Sequence, residues 1–322
     1  MDRKAFLLQL LEERHGPTLA AAIVAGRRDS TLAQQEIAWR ALQAWLREDD
    51  SRLVDKTNLL KFCLFLRDKR GLASSTIANY RAALARPLGI AADINFDDFE
   101  FKDLDKFLFL SKPSPKKRVP SWELDKVLRL FSTNAKYASA SARPRDLLRK
   151  LAFLLALATG NRVSELCAID ISAIREDSQG VLSLPVDKSF KFKNERVNRA
   201  PPEIEVRPLP GDNHEICPVA TLKTFVNRLG LESGKLLVNT RTGTPLRPAS
   251  LSLLIVNAIN EADPGCFPRA HDVRKTAASL AWMRGLSLQE ITRRCFWKDI
   301  STFVRTYLFS TGGRGIALNT SD

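Results

Sequence analysis

The 322-residue chain is poor in the side chains that most metal and redox enzymes use. It has three histidines, His15, His214 and His271, with no HExxH and no Cys/His cluster, so neither a structural nor a catalytic zinc site is expected. Its five cysteines, Cys63, Cys167, Cys217, Cys266 and Cys295, include no CxxC pair. Four of them lie among apolar neighbours and read as reduced core residues. No apolar run is long enough to span a bilayer and the start carries no signal-peptide pattern, so a soluble intracellular protein without a membrane partner is expected. In a eukaryote that means the nucleus; in a prokaryote, the cytoplasm or nucleoid. Acidic residues are also scarce. Asp and Glu number 36 against 50 Lys and Arg, giving a formal charge of +14, which favours a polyanionic partner, nucleic acid before membrane. Charge alone fits a solvated basic surface equally well.

The length suits two domains. Up to about residue 110 the apolar spacing is helical, with Phe6, Leu7, Leu10 and Leu11, then Ile37, Ala41, Ala44 and Trp45. Leu59, Leu60, Cys63 and Leu66 form a third stretch. Ile77, Tyr80, Ala83 and Leu84 form a fourth, opened by Ser74 or Ser75 as a cap. Residues 1–110 are therefore expected to form a small helical bundle. The segment Ser111-Lys-Pro-Ser-Pro-Lys-Lys-Arg118 is linker material, and 111–119 is taken as the boundary. In 120–322 a helix is predicted from Ser121, with Leu124, Val127, Leu128 and Phe131 on one face. A strongly apolar helix through Leu147, Leu151, Leu154 and Leu155 follows, stopped at Gly160. Strand-like material is confined to about 166–210, in Val181-Leu-Ser-Leu184 and Ile204-Glu-Val-Arg207, and helices resume from Pro218. The expected class is mainly α with a small antiparallel β-sheet.

Three segments carry chemistry. In Thr159-Gly-Asn-Arg-Val-Ser-Glu-Leu166 a helix stop meets a helix start, with Asn161 able to cap and Arg162 in the first turn, placed to grip an anion. Glu165, three residues on, can orient Arg162 through a bidentate pair, although a plain surface ion pair would look the same. His271-Asp-Val-Arg274 opens another helix and puts His271 and Arg274 on one basic face, with Val273, Ala277, Leu280 and Ala281 turned inward. Alone, such a pair is weak. Ser287-Leu-Gln-Glu290 reads as a capping box for a helix ending near Trp297, and a last helix runs through Phe303, Val304, Tyr307 and Leu308. Taken singly, Trp297 and Tyr307 are ordinary core aromatics.

The order of these segments resembles the tyrosine recombinase family. An arginine with a nearby carboxylate is followed by HxxR, then by an aromatic 23 residues on (297 − 274) and a tyrosine ten further (307 − 297). The resemblance covers the catalytic half. Residues 1–110 fit the family's N-terminal DNA-clamping domain but carry no motif of their own. The segment Cys295-Phe-Trp-Lys-Asp-Ile-Ser-Thr-Phe-Val-Arg-Thr-Tyr307, with Trp where many members have Gly-His, looks closest to recombinases of eukaryotic mobile elements of the DIRS and Crypton type.

The resemblance implies cleavage and rejoining of double-stranded DNA by a homo-oligomer, a tetramer on two sites, with no cofactor. Arg162 and Arg274 would stabilise the charge that rises on the phosphate. Tyr307 would attack phosphorus, and His271 would take its proton or hold the phosphate. Trp297 would position a phosphate oxygen through its indole N–H. The family takes the leaving-group proton from a lysine between two strands. Lys188, Lys191 and Lys193 occupy that connection and Lys193 is favoured, although all three could simply bind backbone phosphates.

The connection from Lys188 to Pro202 exceeds the family's usual tight hairpin. Fifteen residues follow Tyr307, little room for the helix that many relatives insert into a neighbouring subunit, so synapsis is expected to be weak or to use another surface. Three competing readings stand. A type IB topoisomerase shares the catalytic set, but the small helical N-terminal half argues for a recombinase. A host-adopted DNA-binding protein that has lost catalysis would have no chemical need for all five of Arg162, His271, Arg274, Trp297 and Tyr307. The third is a basic helical protein with no nucleic-acid role.

Overall fold

The computed structural model describes residues 1–48, 53–111, 121–211 and 213–306. The chain divides into two compact units, Met1–Lys116 and Lys117–Asp322. Most of the expected linker, from residue 112 onward, lies outside the described residues, and so does Tyr307.

Among the described residues the first unit holds six helices: α1 (Arg3–His15), α2 (Pro17–Ala25), α3 (Asp29–Arg47), α4 (Lys56–Asp68), α5 (Ser74–Ala91) and α6 (Phe99–Ser111). Its core is built around Trp39, Leu42, Trp45, Phe62, Leu84 and Phe101. The inward face of α3 is thus Ala38, Trp39, Leu42 and Trp45, whereas Ile37 is 58% exposed and Ala44 is also exposed. Trp45 faces inward as expected, but Ile37 and Ala44 give way to Trp39 and Leu42, which bury more apolar area and decide the helix's rotation. Neither serine caps α5. Ala73 is its N-cap, without a side-chain bond, and Ser74 is its first residue.

Pro87 lies inside α5 and has no N–H to give the Ala83 carbonyl four residues back. The fully buried Arg3 fills that place, its Nε donating to Ala83 O at 2.8 Å. Its own backbone N–H donates to Glu36 Oε2 at 2.8 Å. Burial, with Arg27 nearby, pushes the Arg3 guanidinium down to about 10.

The second unit is α+β. Helices α7 (Leu124–Thr133), α8 (Pro144–Thr159) and α9 (Val163–Leu166) precede a three-stranded antiparallel sheet of β1 (Arg175–Glu176), β2 (Leu182–Leu184) and β3 (Ile204–Val206), in that order. Five helices follow: α10 (Pro218–Leu229), α11 (Pro248–Ala262), α12 (Ala270–Met283), α13 (Leu288–Arg294) and α14 (Ser301–Thr306). Leu182 pairs with Val206 and Leu184 with Ile204, so all four side chains face the core. The exposed two-residue β1 is too short to show any alternation in sequence.

Helix α8 is charged in its first half, apolar from Leu151 to Ala158, buried on most sides, and packs against α10, α11, α12 and β3. Helix α7 begins at Leu124 and not at Ser121, whose Oγ instead accepts the Phe267 N–H at 3.3 Å. Ser287 does cap α13, accepting the Glu290 N–H at 3.2 Å. The Glu290 carboxylate does not return the bond, being held by Arg293 and Arg294 at 2.7 and 2.6 Å.

Candidate active site

Gly160 ends α8 in the left-handed conformation (φ 62°), which a residue with a Cβ adopts only at a cost, and turns the chain directly into Arg162. Arg162 is the N-cap of α9 and not a first-turn residue. The helix is one turn long, and Glu165 already takes its leading N–H, Arg162 N to Oε2 at 2.8 Å. The Arg162 N–H is thus already taken, and the guanidinium is the charged group that can meet an anion here. The other oxygen, Oε1, accepts from Arg162 Nη1 at 2.6 Å, so Glu165 bridges backbone and side chain instead of forking onto the guanidinium. Glu165 is buried, while about a fifth of the Arg162 side chain reaches solvent.

Helix α12 brings the second set. Arg274 is 1% exposed, so it does not share an open face with His271 as its spacing implied. Its Nη1 donates to Gly160 O at 2.6 Å and its Nη2 to Cys295 O at 2.5 Å, joining the α8 stop to the end of α13. Nη1 also lies 3.8 Å from Glu165 Oε2. One buried carboxylate thus stands between two guanidiniums, which would otherwise repel each other at close range. Arg274 Nε is buried without a partner among the described residues. The inward positions of α12 are Val273, Ala278 and Ser279; Ala277, Leu280 and Ala281 are only partly covered.

His271 is exposed at the surface above Arg274. The protein packed around the rest of its ring withdraws water, and Arg274, Lys275 and Arg162 add positive charge, so its pKa is pushed down to about 4. The imidazole is neutral at pH 7 and free to accept a proton. Lys275 is held by Asp272 at 3.0 Å.

Trp297 is buried in a small core with Ala278, Ile291, Cys295 and Phe303. The Arg274 guanidinium carbon lies 5.3 Å from its ring centre, so the indole supports the arginine from behind by a cation–π contact. The three loop lysines, Lys188, Lys191 and Lys193, are all exposed. Lys191 faces Glu195 at 3.7 Å, whereas Lys193 has no hydrogen-bonding or charged partner among the described residues.

The structure brings Arg162, Glu165, His271, Arg274 and Trp297 together. What spacing could not reveal is the contact of the β2–β3 connection with residues 296–298, made by Asn194 and Arg199, about a hundred positions away. Among the described residues no group of three His, Cys, Asp or Glu is placed to hold a metal, and no helix is long and apolar enough to cross a membrane.

The phage integrase family matches residues 122–312, and the chain belongs to this family, the tyrosine recombinases. It is accordingly an enzyme of site-specific DNA recombination that cuts and rejoins strands through a tyrosine-linked intermediate. No curated protein sequence matches the chain significantly. Among solved structures, the fold is similar to a lambda integrase (residues 75–356) dimer bound to a COC′ core site. That match has a TM-score of 0.60 and 18% identity, covering all of both chains. It is also similar to a XerH site-specific recombinase bound to a palindromic difH substrate (TM-score 0.62, 14% identity, 96% of this chain and 86% of that one). A third is a lambda integrase tetramer bound to a Holliday junction (TM-score 0.59, 18% identity, 94% and 77%).

Proposed function

We propose that this chain cleaves duplex DNA with Tyr307 and that Arg162, His271 and Arg274 form the phosphate-binding floor of the reaction. The observation that carries the reading is the Glu165 carboxylate held between Arg162 and Arg274, with a neutral His271 beside them. The phenol oxygen of Tyr307 attacks phosphorus and the P–O5′ bond breaks. Arg162 meets the non-bridging oxygens at the surface, and the buried Arg274 supplies positive charge from beneath, its Nε still without an acceptor among the described residues. A free phenol has a pKa near 10, so its proton must be taken as the bond forms, and neutral His271 is the acceptor.

The departing 5′-oxygen takes a proton from Lys193, which no carboxylate occupies. The products are a 3′-phosphotyrosyl bond and a free 5′-hydroxyl. That bond keeps the energy needed to rejoin, so the chemistry requires neither ATP nor a metal. Trp297 acts by position, holding Arg274. Residues 1–110 clamp the duplex, and a tetramer on two sites exchanges strands. The Trp-containing segment before Tyr307 supports kinship with DIRS- and Crypton-type recombinases, with the nucleus as the site of action in a eukaryotic host and the cytoplasm or nucleoid in a prokaryotic one.

The test is incubation of the purified protein with nicked duplex carrying its element's ends in EDTA. A covalent protein–DNA band is expected, absent for Tyr307→Phe. A band that persists in that variant removes Tyr307 as nucleophile, and loss of the wild-type band in EDTA removes the metal-free mechanism. A two-site plasmid separates inversion or excision from simple relaxation.

A further inference from the structure

Residues 295–298, between α13 and α14, turn sharply, and Phe296 takes φ +47°, which a bulky side chain rarely adopts unaided. The N–H groups of Phe296 and Trp297 are satisfied from behind, by the Arg293 and Thr292 carbonyls at 3.0 Å each. The four successive carbonyls find partners elsewhere. Cys295 O accepts from Arg274. Phe296 O accepts from Asn194 Nδ2 at 2.7 Å. Trp297 O and Lys298 O both accept from Arg199, the latter at 3.2 Å. The Arg199 guanidinium also lies 4.9 Å from the Phe296 ring centre, and the Phe192 ring meets Phe296 edge-on at 5.8 Å and 87°.

All of these outside partners except Arg274 come from the β2–β3 connection. Lys193 sits between Phe192 and Asn194 in that clamp, and the clamped carbonyls lie nine to eleven residues before Tyr307 (307 − 298 and 307 − 296).

We infer that Asn194 and Arg199 are positioning residues that tie the lysine loop to the tyrosine-bearing segment, so that general acid and nucleophile are set against the phosphate together. The inference rests on the roles of Lys193 and Tyr307 proposed above. It requires that loosening the clamp disturb both ends at once, which neither a purely local loop contact nor a DNA phosphate contact by Arg199 would do.

Two measurements on the full chain test it. The first is amide hydrogen exchange without DNA, which stands whatever the catalytic assignments. Arg199→Ala is expected to speed exchange by about tenfold in both 188–200 and 295–300, with Arg199→Lys in between. Faster exchange in the loop alone overturns the coupling. Asn194→Ala serves as the second variant if Arg199→Ala does not fold.

The second measurement is cleavage of nicked duplex with an ordinary linkage or a 5′-bridging phosphorothiolate, whose thiolate leaves without a proton. Lys193→Ala should recover fully on the sulfur substrate. Arg199→Ala should lose about a hundredfold on the ordinary substrate and recover only in part, because its nucleophile is also misplaced. Full recovery, no loss on either substrate, or a loss explained by weaker DNA binding overturns the inference. Failure of Lys193→Ala to recover counts against Lys193 instead, and a covalent band from Tyr307→Phe counts against the nucleophile. In either case the exchange result still decides the coupling.

Discussion

Arg274 Nη1 donates to the carbonyl of Gly160 at 2.6 Å, across 114 positions of sequence. The His271–Arg274 segment is therefore structurally part of the Thr159–Leu166 segment. Arg274 also holds Cys295 O, and a lysine ammonium placed here cannot reach both carbonyls with the fork of a guanidinium. Arg274→Lys should lower unfolding stability by about 1–3 kcal/mol, the cost of leaving a buried acceptor unmade. Covalent-product formation should fall by about 10²–10³-fold, the size of losing a preorganised donor or charge. Denaturant unfolding with a cleavage assay checks this. Loss of cleavage with unchanged stability would remove the bracing role.

Glu165→Gln keeps the shape between Arg162 and Arg274 but removes the charge that separates them. The variant should fold less stably by about 1–3 kcal/mol, since a charge-assisted bond becomes a neutral one and two guanidiniums face each other. Raising the salt concentration should restore part of that loss by screening the repulsion. A loss that is independent of salt would mean that the carboxylate acts only as a cap.

His271 is held at about 4 in the folded protein against 6.5 in its ordinary state. Between these values the unfolded chain takes the proton first. The favourable contribution is present above about 6.5 and is lost as pH falls toward 4. The imidazole proton signals in NMR should titrate with a midpoint well under 5.5, and the cleavage rate should show no His271 step from pH 6 to 8. A midpoint above about 8 would place the imidazolium, not the imidazole, in the active form.

Arg3 and Pro87 should be energetically coupled, because Arg3 Nε fills the bond that Pro87 denies to Ala83. Arg3→Met should cost about 1–3 kcal/mol through the orphaned carbonyl. In a Pro87→Ala background, where the helix can close its own bond, the same change should cost about 1 kcal/mol less. A double-mutant cycle by urea unfolding measures the difference. Additive effects would show that the carbonyl is satisfied in some other way.

Much of the second unit was legible because its signals are local. The apolar run of α8, its stop at Gly160 and the short runs that became β2 and β3 all announce themselves within a dozen residues. The order of Arg162, His271, Arg274 and Trp297 could be read as a constellation, and the structure gathers these residues. Spacing did not reveal depth. His271 and Arg274 share a helix, yet one is exposed and the other buried, because Arg274 is drawn down to two carbonyls supplied by other elements. The rotation of α3 was missed in part for a related reason, since Trp39 outweighs Ile37 in buried area. The contacts of Asn194 and Arg199 have no periodic signal, being made across 98 to 102 positions by a connection without regular structure.

Gly160 is hemmed in from the side as well as by its dihedral angle. A Cβ added there would stand 3.2 Å from the Cys295 sulfur and 3.8 Å from the Ala277 methyl. In evolutionary terms positions 160 and 295 are bound together. A lineage that replaced the thiol with anything bulkier would have to keep glycine, and one that lost the glycine would first have to shrink residue 295. Descendants of this sequence should therefore drift at these two sites as a pair, however freely the intervening 134 residues change.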